Sequence, residues 1–232
     1  MKHLLYMILF AIFITACSTL VVRAQTEGFN VKTPVEKISD RTIRFLNDIV
    51  KNTKEDSRQS IPPDLVCGAQ CFLIAPSINM DHSGNDFSGT GLLSCRSKDS
   101  VKLTPPLFYN VTNIESFEEN GGGLIIFVTD SEGVESVLGD QLRFNSDDSG
   151  SRKNGPDGTS LKSFIAYTGQ PGEGFDEFDL SGATLVYGTA DTFNAYQQTL
   201  DPIDIMLYSV DIPPALRGFN SSLEEWRNGC KE

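Results

Sequence analysis

Between Thr33 and Lys51 the chain repeats at helical spacing. Val35, Ile38, Thr42, Phe45, Leu46 and Ile49 fall on one side, and Glu36, Lys37, Asp40, Arg44, Asp48 and Lys51 on the other. One amphipathic helix is predicted, entered through Pro34, whose missing N–H is no loss in a first helical turn. Its polar face mixes signs and is not basic, so the apolar stripe is expected to pack on the domain and not on a membrane. After the polar link "NTKEDSRQS", the prolines of "IPPDLVCGAQ" (61–70) open a second, short helix. "CFLIAPS" (71–77) is a continuous apolar run and predicts a buried strand; "TGLLSCRS" (90–97) predicts another across the loop "MDHSGNDFSG". If these two pair as a hairpin, Cys71 and Cys95 can lie opposite each other, close enough to bond.

The pattern then turns strand-rich. "LFYNVTNIESF" (107–117) and "GGGLIIFVTD" (121–130) predict strands, and "SEGVESVLG" (131–139) a short helix capped by Asp130 or Ser131 with Gly139 past its end. "LRFNSDDSGSRKNGPDG" begins as a brief strand and becomes a polar loop. "LKSFIAYT" and "FDLSGATLVYG" predict two strands around the acidic loop "GQPGEGFDE", and "ADTFNAYQQ" a short helix. "IDIMLYSVD" (203–211) reads as a late strand and "PPALRGFNSSLEEWR" as a terminal helix. Strands outnumber helices and follow one another closely. The expected class is α+β: a mostly antiparallel sheet, one that could curl, with flanking helices.

The start of the chain lies outside that fold. Lys2 is followed by an apolar run from Leu4 to Ala16, the layout of an export signal. Two processing sites compete. Ile14-Thr15-Ala16-Cys17 matches a bacterial lipobox, which would leave Cys17 lipidated and the protein anchored in the outer membrane, facing the periplasm. Cleavage after Ala24 would instead release a soluble periplasmic or secreted chain. The lipobox is preferred because the cysteine stands where the apolar run ends. The chain divides into a leader (1–24), a tether and amphipathic helix (25–60), a main domain (61–198) and a C-terminal strand and helix (199–232).

Composition narrows the function. The net charge of −12 argues against nucleic acid, whose phosphates need basic residues, and against simple docking to anionic lipid head groups. With Cys17 set aside, four cysteines remain: Cys67, Cys71, Cys95 and Cys230. An even number in an exported chain predicts disulfides, in any of three connectivities. Zinc held by Cys67, Cys71, Cys95 and His82 is the rival; the spacing fits no familiar zinc motif and strands Cys230, so no metal is expected. His82 is the only histidine after the leader, and no G-x-S-x-G elbow or phosphate-binding glycine loop is present. "NSDDSG" (145–150) starts like an EF-hand but puts Pro156 where the bidentate glutamate belongs. Glu173, Asp176, Glu177 and Asp179 are close in sequence, and Glu173, Asp176 and Asp179 gathered around His82 would support a carboxylate-dependent hydrolase. A solvated loop is the plainer reading. The glycosylation patterns at Asn110 and Asn220 are taken as chance matches. No cofactor and no catalytic residue is expected.

In order, "IPPDLVCGAQCFLIAPS", "GTGLLSCR", "GGGLIIFVTDSEGVESVL", "NGPDG" and "IAYTGQPGEGFDEFDLSGATLVYGTADTFNAY" resemble the successive segments of the SYLF domain, the Ysc84 or BPSL1445-type lipid-binding family. The likeness spans about residues 61–198 and rests on the order of the pieces. The chain departs from the pattern in its polar "NMDHSGNDFSG", in "VKLTPPLF", which lacks a tryptophan before its prolines, in "NSDDSGSRK", and in its acidic last loop. The resemblance implies a non-enzymatic binding module whose partner is membrane lipid, burying acyl or other apolar surface against the sheet or the first helix. It further implies a Cys71–Cys95 disulfide, which leaves Cys67 and Cys230 for a second. A structural envelope protein without a small ligand is the alternative.

Overall fold

The computed structural model describes residues 32–52, 61–80, 86–97, 102–114, 117, 122–145, 153–154, 160–161, 163–170, 173–207 and 210–229. The leader, Cys17, His82, Cys230 and most of the NSDDSG and NGPDG segments lie outside them.

The first helix, α1 (Pro34–Asn52), forms where the periodicity predicts, with Glu36 in its first turn and Lys51 in its last, each matching the helix dipole. Its buried side carries Val35, Ser39, Thr42, Phe45, Leu46, Ile49 and Val50. The proline-led helix is α2 (Pro63–Gly68). The strands that follow are β1 (Cys71–Ala75), β2 (Asn79–Met80), β3 (Phe87–Cys95), β4 (Leu107–Ile114) and β5 (Gly123–Val128). Helix α3 (Ser131–Val137) starts at Asp130, whose carboxylate accepts from the Gly133 amide at 2.8 Å and from the Ser163 hydroxyl at 2.8 Å. Then come β6 (Gln141–Arg143), the small pair β7 (Lys153–Asn154) and β8 (Ser160–Leu161), β9 (Phe164–Gln170), β10 (Gly174–Phe178) and β11 (Thr184–Tyr187). Helices α4 (Thr189–Tyr196), α5 (Pro202–Leu207) and α6 (Pro214–Asn228) complete the order.

The main sheet runs β10-β9-β5-β1-β3-β4-β11-β6, with β2 added beside β3, and every pairing in it is antiparallel. It curls strongly, as a half-barrel. Alternation along the strands sorts side chains into two cores. Cys71, Leu73, Leu93, Tyr109, Leu124, Ile126 and Leu185 point to one face, where they meet Val137, Phe144 and Leu180. Phe72, Ile74, Leu92, Phe108, Ile125 and Phe127 point to the other, beneath Leu46 and Ile49 of α1 and Leu216, Phe219, Leu223 and Trp226 of α6. An antiparallel sheet usually keeps one wet face; burial on both explains the unbroken apolar runs of β1 and β5.

Three expectations need correction. The run 203–211 is not a strand where it is described: Pro202–Leu207 is the helix α5. Its β-branched residues suggest a strand, but Asp201 accepts from the Ile203 amide at 2.9 Å and Pro202 takes the first helical position, a strong local helix start. The acidic segment 169–177 is largely a hairpin and not a loop. Gly169 and Gln170 belong to β9, and β10 pairs Phe175 with Gly169 and Phe178 with Ala166. Phe175 is buried while Asp176 and Glu177 stay exposed, as befits a charged edge strand. Finally, β3 starts at Phe87 and not at Thr90, because β2 pairs with its first residues.

Candidate functional site

β1 ends at Ala75 because Pro76, which has no N–H to give a ladder, follows it. The chain kinks away and rejoins β3 at β2, with Asn79 opposite Ser88 and Met80 opposite Phe87. Between these points it crosses β3 closely. A Cβ on Gly89 would lie 2.5 Å from the Ser77 carbonyl oxygen, and one on Gly91 would lie 2.6 Å from that of Ile74. Only glycine permits such an approach of two backbones. The β3–β4 register also shifts between Phe87 and Gly89.

The kink leaves a groove of about 480 Å³, lined by Pro76, Ser77, Asn79, Met80, Ser88, Gly89 and Thr90 from the sheet and by Ile38 and Arg41 from α1. Ile38 and Arg41 are three residues apart, so one helix face presents both. The groove has a polar floor and an apolar lip. Ser77, Ser88 and Thr90 bring hydroxyls, and Asn79 an amide. The Thr90 hydroxyl donates to Asn110 Oδ1 at 2.7 Å, which leaves its oxygen as an acceptor. Arg41 is exposed and makes no ion pair among the described residues. Met80, at 45% exposure one of the few large apolar side chains in solvent, is flexible enough to fit an irregular apolar partner. Hydroxyls, an amide and one guanidinium can bind a polar or anionic group, and the described lining residues include no carboxylate or imidazole.

Among the described residues the acidic side chains are not gathered, and His82 lies outside them. Asp176 and Glu177 are neighbours on β10 and point to opposite faces. Glu173 sits in the β9–β10 turn, and Asp179 accepts from the Ser181 amide at 2.9 Å and hydroxyl at 2.7 Å, closing a local turn. Among the described residues no cluster of histidine, cysteine and carboxylate could hold a metal.

The described cysteines are held in disulfides. Cys71 and Cys95 are bonded to each other, S–S 2.08 Å, and Cys67 is disulfide-bonded too, so none of the three is a free thiolate. Cys71 and Cys95 face each other in the ladder. The Arg96 amide donates to the Gln70 carbonyl, the Cys95 carbonyl accepts from the Thr104 amide, and the Cys95 amide donates to the Thr104 hydroxyl. They are thus a non-hydrogen-bonded pair, the kind in which side chains approach most closely.

The buried tyrosines serve the fold. The Tyr109 hydroxyl donates to the Val137 carbonyl at 2.9 Å, that of Tyr187 to Leu200 at 2.7 Å and that of Tyr196 to Pro106 at 2.7 Å. Burial, then the charges of Tyr187, Asp201 and Asp140, raises the Tyr109 pKa far above the usual tyrosine value. Of the two glycosylation patterns, Asn220 is buried and its amide donates to the Thr104 carbonyl at 3.0 Å, while Asn110 is the acceptor for Thr90 within β4.

Composition and motif reasoning did not single out Arg41, Asn79, Ser88 or Thr90. The available signal was Gly89 and Gly91, spaced two apart in a strand just after a Pro-Ser strand end, which marks close backbone contact. No helix among the described residues is long and apolar enough to cross a membrane. No family model, curated protein or solved structure matches the chain.

Proposed function

We propose that this is a non-enzymatic lipid-binding protein of the cell envelope, similar to SYLF-domain proteins, which takes the polar head of a phospholipid or like amphiphile in the Arg41 groove. The carrying observation is the groove itself: one guanidinium with no ion pair among the described residues, set among hydroxyls and an amide, with Ile38, Pro76 and Met80 beside them. An arginine and hydroxyl donors suit a phosphodiester, and the apolar lip suits the first carbons of an acyl chain. Two of the segments that carry the SYLF resemblance, the Pro-Ser end of β1 and the glycine-led β3, meet at this groove. Both sheet faces are filled by the protein's own side chains, so the lipid is met at the end of the β1–β3 ladder and not across the sheet.

The net charge of −12 makes the groove a local exception on an acidic chain. Capture of single head groups then matters more than attraction to a charged surface. Vesicle sedimentation tests this. Wild-type protein should co-sediment with zwitterionic vesicles at least as well as with anionic ones, and R41Q should weaken that binding about tenfold, the scale of one charge-assisted contact. Absence of co-sedimentation with either vesicle, or R41Q binding like wild type, overturns the reading. On this reading the leader directs export, Cys17 carries the lipid anchor and Cys67 pairs with Cys230. Intact mass of the membrane fraction and a non-reducing peptide map test these; an unacylated chain starting at Gln25, or Cys67 linked elsewhere, counts against them.

A further inference from the structure

The opposite end of the β1–β3 ladder gathers a second set of polar groups that the groove does not use. Arg96 follows Cys95 at the end of β3, and its side-chain Nη2 donates to the carbonyl of Cys67 in α2. Arg227 lies in the last turn of α6, next to Trp226, which packs on Phe72 and Phe127. Helix α2 packs on α6, so the ends of α2, β3 and α6 share one corner. Each arginine keeps a buried Nε–H with no hydrogen-bond partner among the described residues.

Two orphaned donors on like-charged groups are an arrangement that folding does not favour by itself. The charges are near enough to be felt: burial first, and then Arg227, lowers the Arg96 pKa. Burial likewise lowers that of Arg227, and Glu224, one turn earlier on α6, acts the other way.

We propose that this corner is an oxyanion site, in which a phosphate-sized anion accepts from the Nε–H of Arg96 and of Arg227. An oxyanion with several oxygens can take both donors at once, and planar guanidinium forks match that geometry better than a lysine ammonium does. The phosphate is free or part of a lipid head group; the chemistry at the arginines is the same.

The test uses the full chain and inorganic phosphate, titrated against sodium chloride of equal ionic strength. Trp226, the only tryptophan and the neighbour of Arg227, reports binding by fluorescence, and Tm reports it independently. Wild type should give a saturable fluorescence change and a Tm rise with phosphate beyond the chloride control. R227Q should weaken the response at least about tenfold and R227K by less, since lysine keeps the charge and loses the fork. If R227Q does not fold, R227K carries the comparison. R41Q should respond to phosphate as wild type does, even where it has lost vesicle binding, which separates this site from the groove. Should free phosphate give nothing, vesicles of phosphatidylcholine with phosphatidic acid are the second arm; a loss of their binding in R227Q, relative to wild type, that exceeds its loss on phosphatidylcholine alone assigns the oxyanion to a head group. No Arg227-dependent response in either arm overturns the proposal.

Discussion

Replacing Cys71 and Cys95 together by alanine should destabilise the protein strongly while leaving its groove intact. The disulfide spans a sequence separation of 24 residues. On a chain-entropy model, closing a loop of that length removes freedom from the unfolded chain worth about 3 kcal/mol at room temperature. Both cysteines are buried, at 0% and 2% exposure, so losing two sulfurs from the core adds to that figure. Against a typical domain stability of about 5–15 kcal/mol the loss is large. The closed loop is also the one that builds the groove: every lining residue except Ile38 and Arg41 lies between Cys71 and Cys95. Register does not depend on the bond, however. Phe72, Leu73 and Ile74 pair with Ser94, Leu93 and Leu92 on one side and with Phe127, Ile126 and Ile125 on the other.

The expected pattern for C71A/C95A is therefore a split. In guanidinium melts followed by Trp226 fluorescence, the unfolding free energy should fall by at least about 3 kcal/mol, with a steeper slope because the unlinked unfolded chain is less compact. Vesicle binding measured well below the melting transition should match wild type. Added reductant should then lower the stability of C71A/C95A further, since it still holds the Cys67 disulfide. A stability change below about 0.5 kcal/mol would refute the loop-closure argument, being far short of the loss that model requires. So would free thiols at Cys71 and Cys95 in protein isolated without reductant.

Gly89→Ala puts a methyl 2.5 Å from the Ser77 carbonyl and 2.6 Å from Ile78 Cδ1; the first is backbone and cannot step aside. Overpacking of this kind should cost about 2 kcal/mol in a urea melt and weaken vesicle binding along with it. A Gly89→Ala protein as stable as wild type would mean that the strands can separate there. Ser39 is fully buried in α1 and its hydroxyl donates to the Ala215 carbonyl of α6, so Ser39→Ala should lose about 1–2 kcal/mol, read as a lower thermal midpoint. The tyrosines predict alkaline sensitivity. Tyr109 and Tyr196 are held above the usual tyrosine value by burial first and then by neighbouring charge, Tyr187 among them. The unfolded chain therefore releases their protons first, at about pH 10, and stability should be complete below that and fall as pH rises beyond it. Urea midpoints across this range should drop less steeply in Y109F/Y196F, and equal slopes would defeat the explanation.

The elements that were legible are those whose local pattern and tertiary role agree. The α1 stripe, the proline-led α2, the apolar β1 and β5 and the capped α3 each carry a start signal or a period that survives packing. The misreadings arose where two signals conflicted. At 202–207 the β-branched residues pointed to a strand and the Asp-Pro start to a helix, and the start prevailed because Asp201 and Pro202 settle the first turn directly. At 174–178 the charges suggested a loop, but an edge strand can show its charges to water while Phe175 turns inward. The disulfide pair was legible only through the hairpin; nothing in a four-residue spacing of cysteines says which partner each will meet. The groove was the least legible, because it is made by a gap between strands and not by a motif.

That gap follows from how the sheet is buried. A sheet covered on both faces has spent its side-chain positions on packing, so polar groups with free capacity collect where the ladder ends. β1 has two such ends. At one, Pro76 stops the pairing, the glycines of β3 let the chain cross, and hydroxyls face Arg41 across open space. At the other, the disulfide stops the pairing and Arg96 reaches back to cap Cys67. Both ends place arginine on a chain that is acidic as a whole, and both draw on helices α1 and α6, which pack against each other through Ser39 and Ala215. An anion or head group held at either end would therefore brace a helix against the central strand, and binding should appear as added stability as well as affinity.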